Sequence, residues 1–204
     1  MGKWAAIGCV GVLVLVALVV GVMAVGSYNS LNGLEQAVRA QWGQVENVYQ
    51  RRADLVPNLV ATVKGAAAFE KDTFTAVAEA RSRVGQISGP ALQSTINDPA
   101  AFQKFQEAQA GLSSALSKHM VVVEKYPDLK ANANFRDLQA QLEGTENRIT
   151  QERRRFNETA QAFNTKRMSF PTVLIAGFFG QRFNEKPYFA ATTANANTAP
   201  QVQF

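Results

Sequence analysis

Trp4-Ala5-Ala6-Ile7-Gly8-Cys9-Val10-Gly11-Val12-Leu13-Val14-Leu15-Val16-Ala17-Leu18-Val19-Val20-Gly21-Val22-Met23-Ala24-Val25-Gly26 is apolar from end to end and carries no charge. A helix rising 1.5 Å per residue needs about 20 apolar residues to cross a hydrocarbon layer roughly 30 Å thick, and this run has that length. Near the bilayer centre each Leu, Ile or Val favours insertion by about 0.3–0.6 kcal/mol, so the run as a whole prefers lipid. The chain therefore reads as residues 1–26, a transmembrane anchor; residues 27–189, a folded body; and residues 190–204, a polar tail of low complexity.

Lys3 supplies a basic flank, and Ala24-Val25-Gly26 has the small residues of a cleavage site. A cleaved signal, however, has an apolar stretch of roughly 7–15 residues, so an uncleaved anchor is expected. Ile7-Gly8-Cys9 resembles the end of a lipid-attachment site, but the apolar stretch follows Cys9 instead of preceding it. Cys9 reads as a small apolar residue inside the anchor. As the only cysteine it forms no internal disulfide. Lys3 and the α-amine precede the run, while residues 27–38 carry no basic side chain. The positive-inside rule then puts the N-terminus in the cytoplasm. The anchor becomes a single pass through the membrane, with the body facing outward.

The pI near 9.5 and net charge of +5 raise the question of nucleic acid. Basic residues are dispersed among Glu and Asp, without the aromatic-basic interleaving that stacks bases, so no nucleic-acid partner is expected. The densest basic cluster, Arg153-Arg154-Arg155, reads as a solvated helix face.

Periodicity is helical throughout the body, and no stretch alternates as a strand does. Leu31, Leu34, Val38, Trp42, Val45 and Tyr49 recur at steps of three and four, and nothing at Ser27-Tyr28-Asn29 separates this helix from the anchor. Pro57 cannot donate to the carbonyl of Ala53, which predicts an end or kink, with Asp54 capping the next turn. A second helix from Pro57 to Gln86 would place Leu59, Val63, Phe74, Val77 and Ala78 on one face, with Gly65 as a possible interruption. Residues 85–99 are the clearest loop, and Asp98-Pro99 opens the third helix with a cap and an N1 proline. The third stripe is Phe102, Phe105, Gln109, Leu112, Leu116, His119, Val123 and Tyr126, close to the heptad of a coiled coil and stopped at Pro127. The fourth is Phe135, Leu138, Leu142, Ile149, Phe156, Ala160 and Phe163, ending at Phe170-Pro171. Four amphipathic helices with short connections predict an all-α, antiparallel four-helix bundle with long helices, the third and fourth side by side.

Convergent titratable groups are scarce. His119 is the only histidine, lies on an apolar stripe and has no HxxxH or HExxH partner, so it reads as a hydrogen-bonded core residue. There is no Gly-rich phosphate loop, nucleophile elbow or paired-carboxylate motif. The expectation is no catalytic residue, no metal and no cofactor: not an enzyme. Four local patterns stand out. Arg51, Arg52, Asp54, Pro57 and Asn58 form a polar constellation at the expected kink, read as a capped, salt-bridged feature with an anion-docking surface as the alternative. Glu146, Asn147 and Arg148 form a polar trio on the fourth helix. Phe156-Asn157 and Phe163-Asn164 repeat at seven residues on one face, where buried Asn side chains would set the register of a packing seam. Val173 to Gly180 is apolar but too short to span a bilayer.

These residues resemble the LemA family of bacterial membrane proteins. The resemblance rests on Arg51-Arg52-x-Asp54-Leu55-Val56-Pro57-Asn58-Leu59-Val60, Val63-Lys64-Gly65, Glu79-Ala80-Arg81, Val122 to Pro127, Glu146-Asn147-Arg148-Ile149, Phe156-Asn157, Phe163-Asn164, Phe170-Pro171, Phe178-Phe179-Gly180 and Tyr188-Phe189. It implies an N-terminally anchored helical bundle and no particular reaction. Where many members have a histidine, this chain has Phe69, so a metal or acid-base role there does not apply.

The expected function is a non-enzymatic, membrane-anchored assembly or scaffold protein of the cell envelope. It would self-associate as a ring, through helical seams and through an oligomer interface formed by Leu174, Phe178 and Phe179. The alternative is a tethered module that docks an anionic ligand or lipid headgroup through Arg51, Arg52 and Arg153 to Arg155. The terminal Val202-Gln203-Phe204 also has the form captured by strand-adding domains.

Overall fold

In a computed structural model, which describes residues 2–64, 71–87, 95–123, 126 and 132–190, a single helix, α1, runs unbroken from Gly2 to Lys64, 63 residues. The apolar run and the first amphipathic stripe are thus one element, as the lack of a breaker at Ser27-Tyr28-Asn29 leads one to expect. From Ile7 to Val22 the side chains of α1 are exposed, and this is the one helix among the described residues long and apolar enough to cross a membrane. Beyond it lie α2 (Lys71–Ile87), α3 (Pro99–Val123), α4 (Ala133–Met168), α5 (Thr172–Phe178) and a 3-10 turn (Gly180–Phe183), with no strand among the described residues. The fold is all-α, and α1 to α4 form an antiparallel bundle.

Pro57 neither ends α1 nor makes Asp54 a cap. The helix continues for two further turns, and Asp54 Oδ1 accepts a bond from Gln50 one turn earlier (2.8 Å). The reason lies on another helix. The carbonyl of Ala53, left without its donor by Pro57, accepts Nε–H of Arg81 from α2 at 3.1 Å. An orphaned carbonyl is tolerated inside a helix when a side chain supplies the missing proton. The second expected helix is accordingly divided between the end of α1 and α2. Within α2 it is Val77, Ala80 and Val84 that are buried, while Ala78 is exposed. The loop expected from Gly85 starts later, because α2 extends to Ile87. Residues 65–70, 88–94, 127–131 and 191–204, with Gly65, Phe69, the Pro127 turn and Val202-Gln203-Phe204, lie outside the described residues.

Helix starts follow their capping chemistry. Asp98 Oδ1 accepts the N–H groups of Ala100 (2.9 Å) and Ala101 (3.3 Å), and Asn132 Oδ1 does the same for Asn134 (2.9 Å) and Phe135 (3.4 Å). Each satisfies two of the donors a helix start leaves open.

The stripes meet in two apolar clusters stacked along the bundle. The cluster nearer the apolar run holds Leu31, Val38, Trp42, Val45 and Tyr49 of α1 with Phe102 and Phe105 of α3 and Ile149, Phe156 and Phe163 of α4. Trp42 is its centre, within 5.2–6.1 Å of the rings of Phe102, Phe105, Phe156 and Phe189. The farther cluster holds Val56 and Leu59 of α1, Val77 and Val84 of α2, Leu112 and Leu116 of α3, and Phe135 and Leu142 of α4. The closest backbone packing joins α1 to α4 and α2 to α3. Helices α3 and α4, expected side by side, meet chiefly through side chains. An open groove of about 450 Å³ separates their outer halves, lined by Ser113, Met120, Leu142, Glu143, Glu146 and Asn147.

His119 belongs to the farther cluster, edge-on to Phe74 with ring centroids 5.5 Å apart. It is fully buried, and neither ring nitrogen has a hydrogen-bond partner among the described residues, contrary to the hydrogen-bonded histidine expected. Burial pushes its pKa below the ordinary imidazole value. Between that lowered value and about 6.5 the unfolded chain binds a proton that the folded chain refuses, so stability rises with pH there and falls on acidification. Thermal unfolding of the full chain in mild detergent should therefore show a midpoint that drops below about pH 6.5, and His119→Leu should flatten that drop.

Candidate functional site

Between the two apolar clusters lies a polar layer built around Arg52. Its guanidinium is 1% exposed and is surrounded by three helices. Nη1 donates to Ser113 Oγ of α3 (2.6 Å) and to Glu146 Oε1 of α4 (2.9 Å); Nη2 donates to the Gln109 carbonyl (3.1 Å) and to the Gln109 side-chain oxygen. The guanidinium carbon also stands 5.0 Å from the centre of the Tyr49 ring. A buried arginine is tolerable only with such partners, because an unpaired charge in an apolar interior is far too costly. Asp54 accepts from Gln50, and the salt bridge expected within this constellation, with Asp54 as its carboxylate, is replaced by one that runs across helices to Glu146. It also brings together two sequence motifs, Arg51-Arg52-x-Asp54 and Glu146-Asn147-Arg148, that lie 94 positions apart. Arg51, Asp54, Asn58, Asn147 and Arg148 point outward, so the layer consists of Arg52, Gln109, Ser113 and Glu146 alone.

A second constellation explains the repeated Phe-Asn pairs. After the 3-10 turn, residues 184–190 run extended along α4. Asn157 donates Nδ2–H to the carbonyl of Phe189 (3.0 Å) and accepts the Phe189 N–H (2.8 Å). Asn164 does the same for Lys186, at 2.9 Å in both directions, and also donates to the Tyr188 hydroxyl (2.9 Å). The spacing is matched: seven helical residues rise about 10.5 Å, and three extended residues cover about 10 Å. The two Asn side chains thus act as a pair of clasps. They fix the register of an extended strap, and not that of a neighbouring helix as expected, while Phe156 and Phe163 on the same face are fully buried in the core. The strap drops Phe189 into the Trp42 cluster, 4.8 Å from Phe102 and 5.5 Å from Phe156 between ring centroids. It also buries Lys186 completely, with its ammonium donating to Asn97, 3.7 Å from Glu35 and over the Phe163 ring. Burial pushes the Lys186 pKa down, and the Glu35 carboxylate pulls it back up. Asn164→Ala leaves the Lys186 N–H and C=O unpaired. It should cost about 1–3 kcal/mol and open residues 184–190 to hydrogen exchange before the helices.

Lys186, Glu35, Gln109 and Ser113 were not singled out as a site from the sequence. Glu35 leaves one signal, a carboxylate one turn after Leu31 on a buried stripe, which requires a buried cation somewhere.

The basic cluster is spent internally. Arg153 donates to the Ala190 carbonyl (2.7 Å) and covers the Phe189 ring, Arg154 faces Glu158 (3.7 Å), and Arg155 pairs with Glu152 (2.9 Å). Arg52 is buried in the polar layer, while Arg154 and Arg155 keep their pairs on the exposed face of α4. Glu46 and Tyr49 have pKa values raised chiefly by burial. Among the described residues no three His, Cys, Asp or Glu side chains gather as a metal site would require.

The apolar segment after Pro171 forms α5 and the 3-10 turn, which fold back against the base of the body. Tyr28 of α1 contacts the rings of Phe179 (5.0 Å) and Phe183 (5.6 Å). Of the residues expected at an oligomer interface, Leu174 and Phe178 point outward and Phe179 is half-turned onto Tyr28.

Comparison with known proteins gives one family and several relatives. A model of the LemA family matches residues 41–204. Magnetosome protein MamQ of Magnetospirillum gryphiswaldense is 26% identical over 196 residues, covering 87% of this chain and 71% of that protein. Magnetosome proteins MamQ 1 and MamQ 2 of Paramagnetospirillum magneticum are each 26% identical over 178 residues, covering 78% of this chain and 65% of theirs.

Proposed function

Given that the chain belongs to the LemA family, we propose that it is a non-enzymatic, membrane-tethered assembly protein whose body is held rigidly at the bilayer surface. One observation carries this reading: the helix suited to cross the bilayer and the longest helix of the bundle are the same 63-residue element. A flexible tether would let a catalytic or ligand-binding body wander, whereas a continuous helix holds the body at one height. The polar layer at Arg52 and the two Asn clasps serve that end. They add register and rigidity to the bundle and offer no reacting group. The likeness to proteins named for the magnetosome supports a constructional role over turnover of a small molecule.

Residues 1–26 are the anchor in this reading, residues 27–189 the working body and residues 190–204 a tail, with the N-terminus in the cytoplasm and the body across a bacterial inner membrane. Confinement to a surface raises the effective concentration of neighbouring copies, which favours self-association. Gly8, Gly11, Ala17, Gly21 and Ala24 let spans approach closely, and closed rings leave no unpaired end. At the height of Leu174, Phe178 and Phe179 both lipid and a neighbouring copy are within reach, and the assembly reading stands on the span and the outer faces of the bundle without them. Light scattering on the full-length protein in mild detergent tests it. A defined homo-oligomer that persists at raised salt is expected, and a monomer across a concentration series ends the assembly reading.

A further inference from the structure

We propose that the hairpin tip formed by the end of α4 and by α5 rests in the headgroup boundary of the same bilayer that α1 crosses, giving the body a second, interfacial point of attachment. The inference rests on the reading of α1 as a membrane span. Its starting point is a patch that no protein group covers. Phe178 is 86% exposed, Phe170 78%, Met168 66% and Leu174 64%, all within residues 168–178. A contiguous group of large apolar side chains left in water marks a surface with a partner.

The height of this patch identifies the partner. Helices α1 and α4 run antiparallel, with Arg52 meeting Glu146, Gln41 meeting Glu152 and Trp42 meeting Phe156. Each step toward the start of α1 is thus matched by a step toward the end of α4. Lower still, Tyr28 packs on Phe179 and Phe183, and Arg182 reaches Asn32 (3.3 Å) with its guanidinium over the Tyr28 ring. Tyr28 is the second residue after Gly26, where the apolar run ends. The exposed side chains of α5 are therefore continuous with the apolar surface of the span and sit beside its exit from the hydrocarbon.

Composition fits the same position. Between residues 166 and 185 the chain carries Lys166, Arg167 and Arg182 against the single acid Glu185, a balance that suits lipid phosphates. Tyr28 is an aromatic residue with a polar end, of the kind enriched at membrane boundaries. Segments that lie in the interface bury an apolar face about 5–10 Å into the headgroup and acyl boundary and keep cations at the rim.

The test uses the full-length protein with Cys9→Ala and one new thiol carrying the fluorophore NBD, in vesicles of phosphatidylcholine and phosphatidylglycerol. Phe178→Cys reports the tip, Leu18→Cys the span and Asp137→Cys the far end of the bundle. With nitroxides near the headgroup, emission at position 178 should shift to the blue and be mostly lost, while position 137 keeps its emission. Position 18 should respond to nitroxides deep in the acyl chains. Quenching at 18 without quenching at 178 overturns the interfacial seat alone. Protection of 178 that vanishes when lipid is raised over protein overturns it in favour of a neighbouring copy. Absence of quenching at both 18 and 178 removes the span, and the seat with it.

Discussion

Glu35→Ala is expected to destabilise the folded chain by about 3–5 kcal/mol, the range for removing one partner of a buried ion pair. Glu35 is 2% exposed and its partner Lys186 not at all. Removing the carboxylate leaves an ammonium sealed in the core with Asn97 and the Phe163 ring as its remaining support. Arg39, which donates to Glu35 at 3.0 Å, also loses its acceptor. Denaturant unfolding of the full chain in mild detergent, followed by helicity, reads the loss as a lower midpoint. A paired variant, Glu35→Leu with Lys186→Met, should recover most of it, since replacing both charges by apolar groups of similar volume is often neutral. A loss under about 1 kcal/mol in the single variant would mean that the pair is solvated and the strap loosely held.

The second large effect is expected from Phe163→Ala, about 3–5 kcal/mol for a fully buried ring that leaves a cavity. Phe163 is 0% exposed, faces Phe183 with ring centroids 6.5 Å apart and supplies the ring under Lys186. It therefore shares a site with Glu35, and the two substitutions should combine non-additively. Phe163→Leu restores volume but not the ring face, so the difference between Phe163→Ala and Phe163→Leu separates packing from the cation contact. Equal melting of Phe163→Ala and the parent chain would mean that this face of α4 is not core.

Helices were legible in the sequence because their signal is local. The stripes on α1, α3 and α4 follow the 3.6 period, and both described caps, Asp98 and Asn132, satisfy donors two and three residues away. What failed depended on distant partners. Pro57 reads as an end or kink until Arg81, 28 positions beyond Ala53, supplies a donor to the carbonyl that the proline leaves open. Arg52 reads as part of a local, salt-bridged feature beside Asp54 until Gln109, Ser113 and Glu146 close over it from other helices. The Phe-Asn repeat was visible as a pattern, but its use was not: residues 184–190 have no strand-like alternation, and their extended course is set by side chains on α4. The exposed patch on α5 was legible as apolar surface, whereas its height beside Tyr28 required the fold.

Because α1 has no joint between Gly26 and the bundle, the number of residues in that stretch is also an angle. One residue inserted before Ser27 would turn everything beyond it by about 100° around the membrane normal and lift it by about 1.5 Å. Seven would bring the original side back to within about 20°, at a height greater by about 10.5 Å. Every copy in a membrane therefore shows the same flank relative to its own span. Changes in length there should be accepted only in near-whole turns.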